Sequence, residues 1–301
     1  MNRIFKFSIV LAAWLAAQPA LAALNIFACE PEWGALAKEL AGEKAAIYVA
    51  TTALQDPHRI EARPSLIARA RAADLVVCTG AELEVGWMPL VQSQSGNPRI
   101  QAGQPGYFEA VRYVVTLEVP QRLDRAQGDV HPAGNPHIHL DPRNIAKIAA
   151  ALAGRMEQLD PGEANQYRAR VKIFLERWQQ ATSRWETTGA PLKGVAIVVH
   201  HRNLTYLNRW LGLREVGSLE PKPGLPPSAT HLSELLAGLA RDPARAVVRA
   251  AYNDPRAAGW LSERAKIPAV TLPFTVGGSD KAQDLFSLFD DTLSRLLTVA
   301  K

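Results

Sequence analysis

Short apolar runs alternate with stretches of helical periodicity through the first half of the chain. Strands are predicted at Leu24 to Cys29, Ala46 to Ala50, Asp74 to Cys78 and Val111 to Val115, with helices at Trp33 to Leu40 and Ser65 to Ala72. Strands that alternate with helices argue for a parallel sheet with crossover connections. From Pro142 the pattern turns helical, broken only near Asp160-Pro161-Gly162, and the piece from Glu163 to Trp185 would run about 34 Å at 1.5 Å per residue. The strand pattern then resumes at Gly194 to Val199, Ala246 to Ala250 and Ala269 to Pro273. Helices are predicted at His231 to Leu239, near Arg256 to Lys266, and at Ala282 to Leu297. The fold class is therefore α/β. Two parallel-sheet lobes, residues 23–158 and 189–301, are joined by one long helix over 159–188, and the cleft between them is where a ligand belongs.

Residues 1–22 stand apart from this pattern. Arg3 and Lys6 precede an apolar stretch, and Ala20-Leu21-Ala22 offers a small-residue cleavage site, so a signal peptide and an exported, soluble chain are expected. Later apolar runs fall short of the roughly 20 residues that span a bilayer. The formal net charge of +5 drops by two without Arg3 and Lys6, and the remaining bases are interspersed with acids, which disfavours nucleic acid as a partner. Cys29 and Cys78 each end a short strand pattern. An oxidising compartment permits a disulfide, and two buried thiols are nearly as good a reading because cysteine packs as a small apolar residue.

Candidate chemistry gathers where apolar runs end. Asp56-Pro57-His58, Asn135-Pro136-His137-Ile138-His139, Val199-His200-His201 and Gly277-Gly278-Ser279-Asp280 each place an imidazole or carboxylate near the end of a strand or the start of a helix. Open α/β sheets bind ligands beyond the carboxyl ends of their strands, and three imidazoles with one carboxylate suit tetrahedral zinc. Asp141-Pro142 reads as a helix cap followed by the first helical position, which leaves His137 just ahead of the helix and free to turn inward. His139 is the weaker candidate, with a packing or supporting role. Adjacent strand positions point to opposite faces, so only one of His200 and His201 should be a ligand. Tyr206 is expected to pack or hydrogen-bond near the site, His231 to be structural, and His131 to be an exposed loop residue, with help in metal capture as its alternative role. Asp280 also reads as a helix cap, with Asp284 and then water as replacements in the fourth position. Walker loops, Gly-x-Gly-x-x-Gly, Gly-x-Ser-x-Gly and His-Glu-x-x-His are missing, which weakens nucleotide-dependent and hydrolytic readings. Glu30 and Glu32 are the conceivable bases if the metal were catalytic.

The ordered set of motifs resembles the periplasmic zinc/manganese substrate-binding proteins of ABC importers, the ZnuA/TroA-like family. It comprises Asp56-Pro57-His58, Arg63-Pro64-Ser65, Ala73 to Val77 with Gly80 and Leu83-Glu84, Asn135 to Pro142, His201 with Tyr206, and Glu220 to Gly224 with Pro227-Ser228. The resemblance spans Leu24 to Leu297. It implies two α/β lobes about a rigid helix, with His58, His137 and His201 as imidazole ligands and Asp280 as a positional choice for the fourth. It also implies a non-enzymatic role: monomeric capture of Zn2+ in the periplasm and delivery to an ABC transporter permease subunit. Imidazole-rich sites favour zinc, whereas manganese, the alternative cargo, leans on oxygen ligands.

Overall fold

The computed structural model describes residues 24–122 and 124–300; the expected leader lies outside them. The first sheet contains β1 (Leu24–Ala28), β2 (Ala45–Val49), β3 (Leu75–Cys78) and β4 (Tyr107–Glu109), all parallel, in the order β2-β1-β3-β4. Its crossovers carry α1 (Pro31–Ala41), α2 (Pro64–Ala72) and α3 (Met88–Ser95). After this sheet come α4 (Pro142–Leu159) and α5 (Ala164–Gly189). The second sheet repeats the arrangement, with β5 (Ala196–Val199), β6 (Arg214–Ser218), β7 (Ala246–Ala250) and β8 (Ala269–Leu272) in the order β6-β5-β7-β8. It carries α6 (Thr205–Leu211), α7 (Ala229–Leu239), α8 (Pro255–Ala265) and α9 (Leu285–Leu297).

Strand alternation sorts the core into three parts. In β1 and β3, Ile26, Ala28, Leu75 and Val77 face inward, while Phe27, Val76 and Cys78 face an outer core with Leu66, Trp87 and Met88. In β5 and β7, Ile197, Val199, Ala246 and Val248 face inward, while Val198 and Val247 meet Leu232 and Leu261 on the far side. Successive strand residues point to opposite faces, so a strand covered on both sides reads as an unbroken apolar run. The inward faces of the two sheets belong to one continuous core.

That continuity runs along α5, whose 26 residues span about 39 Å. Phe174, Trp178 and Trp185 are buried on one of its faces and meet Phe286 and Phe289 of α9. The Trp178 indole N–H donates to the carbonyl of Pro142 at 2.7 Å, and Arg170 Nε donates to the Glu39 carbonyl of α1 at 2.9 Å. One helix thus grips elements of both lobes. Among the described residues no helix is long and apolar enough to cross a membrane.

Several elements depart from the sequence reading. The strand expected at Val111 to Val115 lies earlier, at Tyr107–Glu109, and Ala110–Tyr113 forms a 3-10 turn instead. The β4 edge is set by pairing of Val76 with Tyr107, a tertiary choice that local apolarity does not encode. The half-exposed edge strand β6 and the short helices α3 and α6 carry too little periodicity to be predicted. Cys29 and Cys78 form a disulfide, with Cα atoms 4.8 Å apart. The register explains it: Ala28 sits opposite Val77 on adjacent parallel strands, so the next residue of each is level with the other.

Candidate metal centre

Every histidine of interest sits in a segment that follows a strand or opens a helix, at the mouth between the sheets. His58 lies in the loop between β2 and α2, His137 directly before the 3-10 turn Ile138–Leu140, and His201 two residues past β5. One ligand nitrogen from each of these three falls within 4.8 Å of the others. Their rings form a triangle, with centroids 5.4 Å (His58–His137), 5.7 Å (His58–His201) and 6.0 Å (His137–His201) apart. Zinc–nitrogen bonds of about 2.0–2.1 Å hold tetrahedral ligands roughly 3.3 Å apart, so small side-chain rotations close the triangle on an ion.

Two of the three rings are oriented from behind. His58 Nδ1 donates to Asp56 Oδ1 at 2.8 Å, and the same oxygen accepts the His58 backbone N–H at 3.1 Å. His201 Nδ1 donates to Glu220 Oε2 at 2.7 Å, and that carboxylate also accepts the Gly224 N–H at 2.8 Å. A carboxylate on Nδ1 leaves the Nε2 lone pair for a metal and raises the ligand's basicity. His58 Nε2 is buried and has no hydrogen-bond partner, as is His137 Nδ1. Burial first, and then the neighbouring imidazoles, hold His137 well below the ordinary histidine range, so it stays a neutral donor. Burial raises Asp56, but its hydrogen bond and charge interaction with His58 outweigh this and leave it below its usual value.

A second tier fixes the loops. Asn135 Oδ1 accepts the His137 N–H at 3.0 Å, while its Nδ2 donates to the Arg202 carbonyl and the Glu118 carboxylate, both at 2.9 Å. The Tyr206 hydroxyl donates to the Asn135 carbonyl at 2.8 Å and accepts the Leu117 N–H at 3.0 Å. Asn135 therefore couples the His137 segment to the His201 segment. Its place directly before Pro136-His137 was the available clue. Phe274, after β8, adopts a left-handed φ of 68° and packs its ring edge-on against His137 at 5.5 Å. A bulky residue in that region is strained, and such strain concentrates at functional sites. Beside the histidines opens a cleft of about 650 Å3 lined by Asp56, His201, Glu220, Tyr252 and Trp260.

A family model, ZnuA: zinc-uptake complex component A periplasmic, matches residues 26–299. The chain belongs to this family. It is 22% identical over 202 residues to the high-affinity zinc uptake system protein ZnuA of Bacillus subtilis (strain 168), covering 66% of this chain and 61% of that protein. To the protein of the same description from Yersinia pestis it is 24% identical over 191 residues, 60% of each chain. The chain thus spans about three fifths of the length of these curated relatives. A crystal structure of ZnuA superposes with a TM-score of 0.75 at 19% identity, covering 93% of this chain and 100% of the other, which establishes the shared two-lobed fold.

The remaining sequence candidates fall elsewhere. Asp280 is exposed and is not in the histidine group. Gly277 N–H donates to the Ala282 carbonyl and Gly278 N–H to that of Thr275, which folds the segment after β8 into tight turns and leaves Asp280 in solvent. The cap of the last helix is Asp284, reciprocally bonded to Ser287, and it too lies outside the group. His139 is buried, with Nε2 donating to the Phe274 carbonyl at 3.0 Å; its Nδ1 is 3.2 Å from Glu32 Oε1 but without hydrogen-bond geometry. His200 is not in the trio, although it lines the same cleft with Nε2 4.0 Å from Glu220 Oε1, and His231 Nε2 donates to the Ser218 carbonyl. Glu30 faces Thr79 and Glu84, while Glu32 Oε2 accepts the Thr275 hydroxyl at 2.5 Å. His131 is the surprise among the loop residues: it is half-buried, 5.4 Å from the His58 ring.

Proposed function

We propose that this chain is an exported, monomeric zinc-capture protein that hands its cargo to the permease of an ABC importer, with residues 23–158 and 189–301 as lobes about the 159–188 linker. The observation that carries the reading is the convergence of His58, His137 and His201 from separate segments onto one point between the lobes, with carboxylates behind two of the rings. The names of its relatives, zinc-uptake proteins, support zinc as cargo. Ligand chemistry supports it independently, since borderline nitrogen donors suit zinc better than manganese. Asp56 and Glu220 balance the dication from the outer shell, so the loaded site carries little net charge. A transport role is favoured over hydrolysis because the carboxylates nearest the trio are tied to ring nitrogens and are not free to act as general bases.

Metal analysis of the mature protein should return one zinc per chain, and competition should rank zinc above manganese. His137→Ala should cost about 100-fold or more in affinity, and Asp56→Asn or Glu220→Gln about 10- to 100-fold. Asp280→Ala should change nothing. If His58→Ala, His137→Ala and His201→Ala all leave zinc stoichiometry and affinity intact, the reading is wrong. Zinc uptake lost on deletion of the cognate permease would test the delivery step.

A further inference from the structure

Resting on the trio just described, we propose that His131 is the fourth protein ligand, so that the loaded site is all imidazole and the carboxylates remain behind the ligands. The argument begins with tautomers. Of the seven histidines, His58, His131 and His201 have Nδ1 bound to an oxygen, from Asp56, the Ala81 carbonyl and Glu220 at 2.8, 2.8 and 2.7 Å. Those rings keep Nε2 as the lone pair. His139 and His231 are fastened the other way, through Nε2 to backbone carbonyls, and neither belongs to the trio. His131 thus shares the tautomer of two members of the trio, and it stands against the His58 ring with centroids 5.4 Å apart.

The segment bearing His131 is held by both halves of the molecule. Asp129 N–H donates to the Pro223 carbonyl at 2.9 Å and Lys222 Nζ to the Ala126 carbonyl at 2.6 Å, on the second-lobe loop that carries Glu220. His131 itself is fixed to Ala81, just past β3 of the first lobe. With His137 and His201 it lines one small cavity, along with Glu118 and Asp129. In the structure its ligand atoms are not within 4.8 Å of all three others, so it joins by a short side-chain rotation toward the face of the triangle beside His58. The sequence-favoured carboxylates, Asp280 and Asp284, are both exposed and engaged in turns or caps. Zinc completes four coordinates readily with imidazole, and a site of nitrogen alone discriminates further against manganese.

Zinc K-edge absorption fine structure of the loaded mature chain should fit four imidazoles, and cobalt-loaded protein should give a four-nitrogen tetrahedral spectrum. His131→Asn, which keeps a donor for the Ala81 carbonyl, should retain one zinc per chain but lose about 10-fold or more in affinity, and its cobalt spectrum should shift as water takes the vacated position. The melting temperature of the zinc-free variant should match wild type, which separates ligation from a structural role. Three imidazoles plus oxygen in the wild type, or His131→Asn with unchanged affinity and spectrum, would overturn the proposal while leaving the trio intact. Unchanged zinc binding in His137→Ala would instead remove the trio on which it rests.

Discussion

At the scale of single residues, the most informative groups are polar side chains placed where polarity is costly. Glu30 and Glu84 are both buried beneath the mouth of the first sheet. Glu84 accepts the Thr79 N–H at 2.7 Å and the Gly80 N–H at 3.1 Å, yet burial pushes its carboxyl up to about 7. Burial first, and then the charge of Glu84, raise Glu30 well above its usual value as well, so the two titrate as a pair. A raised carboxyl binds more protons in the native state than in the unfolded chain. Its contribution is therefore full below pH 4.5 and is lost as pH rises through about 7. Glu84→Gln should flatten that slope by on the order of 1–3 kcal/mol between pH 5 and 8, read from urea unfolding of zinc-free protein. A parallel pair of curves for variant and wild type would contradict it. None of this was legible in the sequence, where Glu84 is one acid in a polar turn; only the approach of β1 to β3 sets it against Glu30.

At the scale of elements, strand ends and helix starts explain both what could be read and what could not. Asp141-Pro142 announced α4, and the structure has Asp141 Oδ1 accepting the Arg143 N–H at 2.9 Å with Pro142 in the first turn. The final helix was placed three residues early, with Asp280 as its cap; the tight turns at Gly277 and Gly278 leave Asp280 in solvent, and the cap is Asp284. The disulfide is another register-dependent feature. It closes a separation of 49 residues, for which loop-closure entropy gives about 4 kcal/mol. Reduction, or Cys29→Ala with Cys78→Ala, should lower the melting temperature by several degrees. Zinc stoichiometry should stay at one, because the outer core that holds the disulfide does not contain the trio.

At the scale of the molecule, one core extends from the inner face of one sheet to that of the other through α1, α4, α5 and α9. A shared core couples the lobes energetically, so thermal unfolding should proceed as one transition rather than two. Zinc bound by residues from both lobes should shift that entire transition upward, by about 2.7 kcal/mol at a free concentration one hundred times Kd. Calorimetry resolving two peaks, only one of them moved by zinc, would show that the lobes are independent and the continuous core energetically unimportant.

Local rules were enough to determine the alternation of strands and helices, the long helix, and the histidine-bearing stretches that end apolar runs, because burial on both faces of a parallel strand and capping of a helix are written in adjacent residues; the choice of His201 over His200 came from the family resemblance. Tertiary structure decided the rest. Asp56 and Glu220 became ring orienters, Asn135 a brace between segments, Asp280 a solvent-exposed turn residue, and His131 a neighbour of His58. Those outcomes depend on which loops face each other across the cleft, and contacts between residues tens of positions apart have no signature in the spacing of either one.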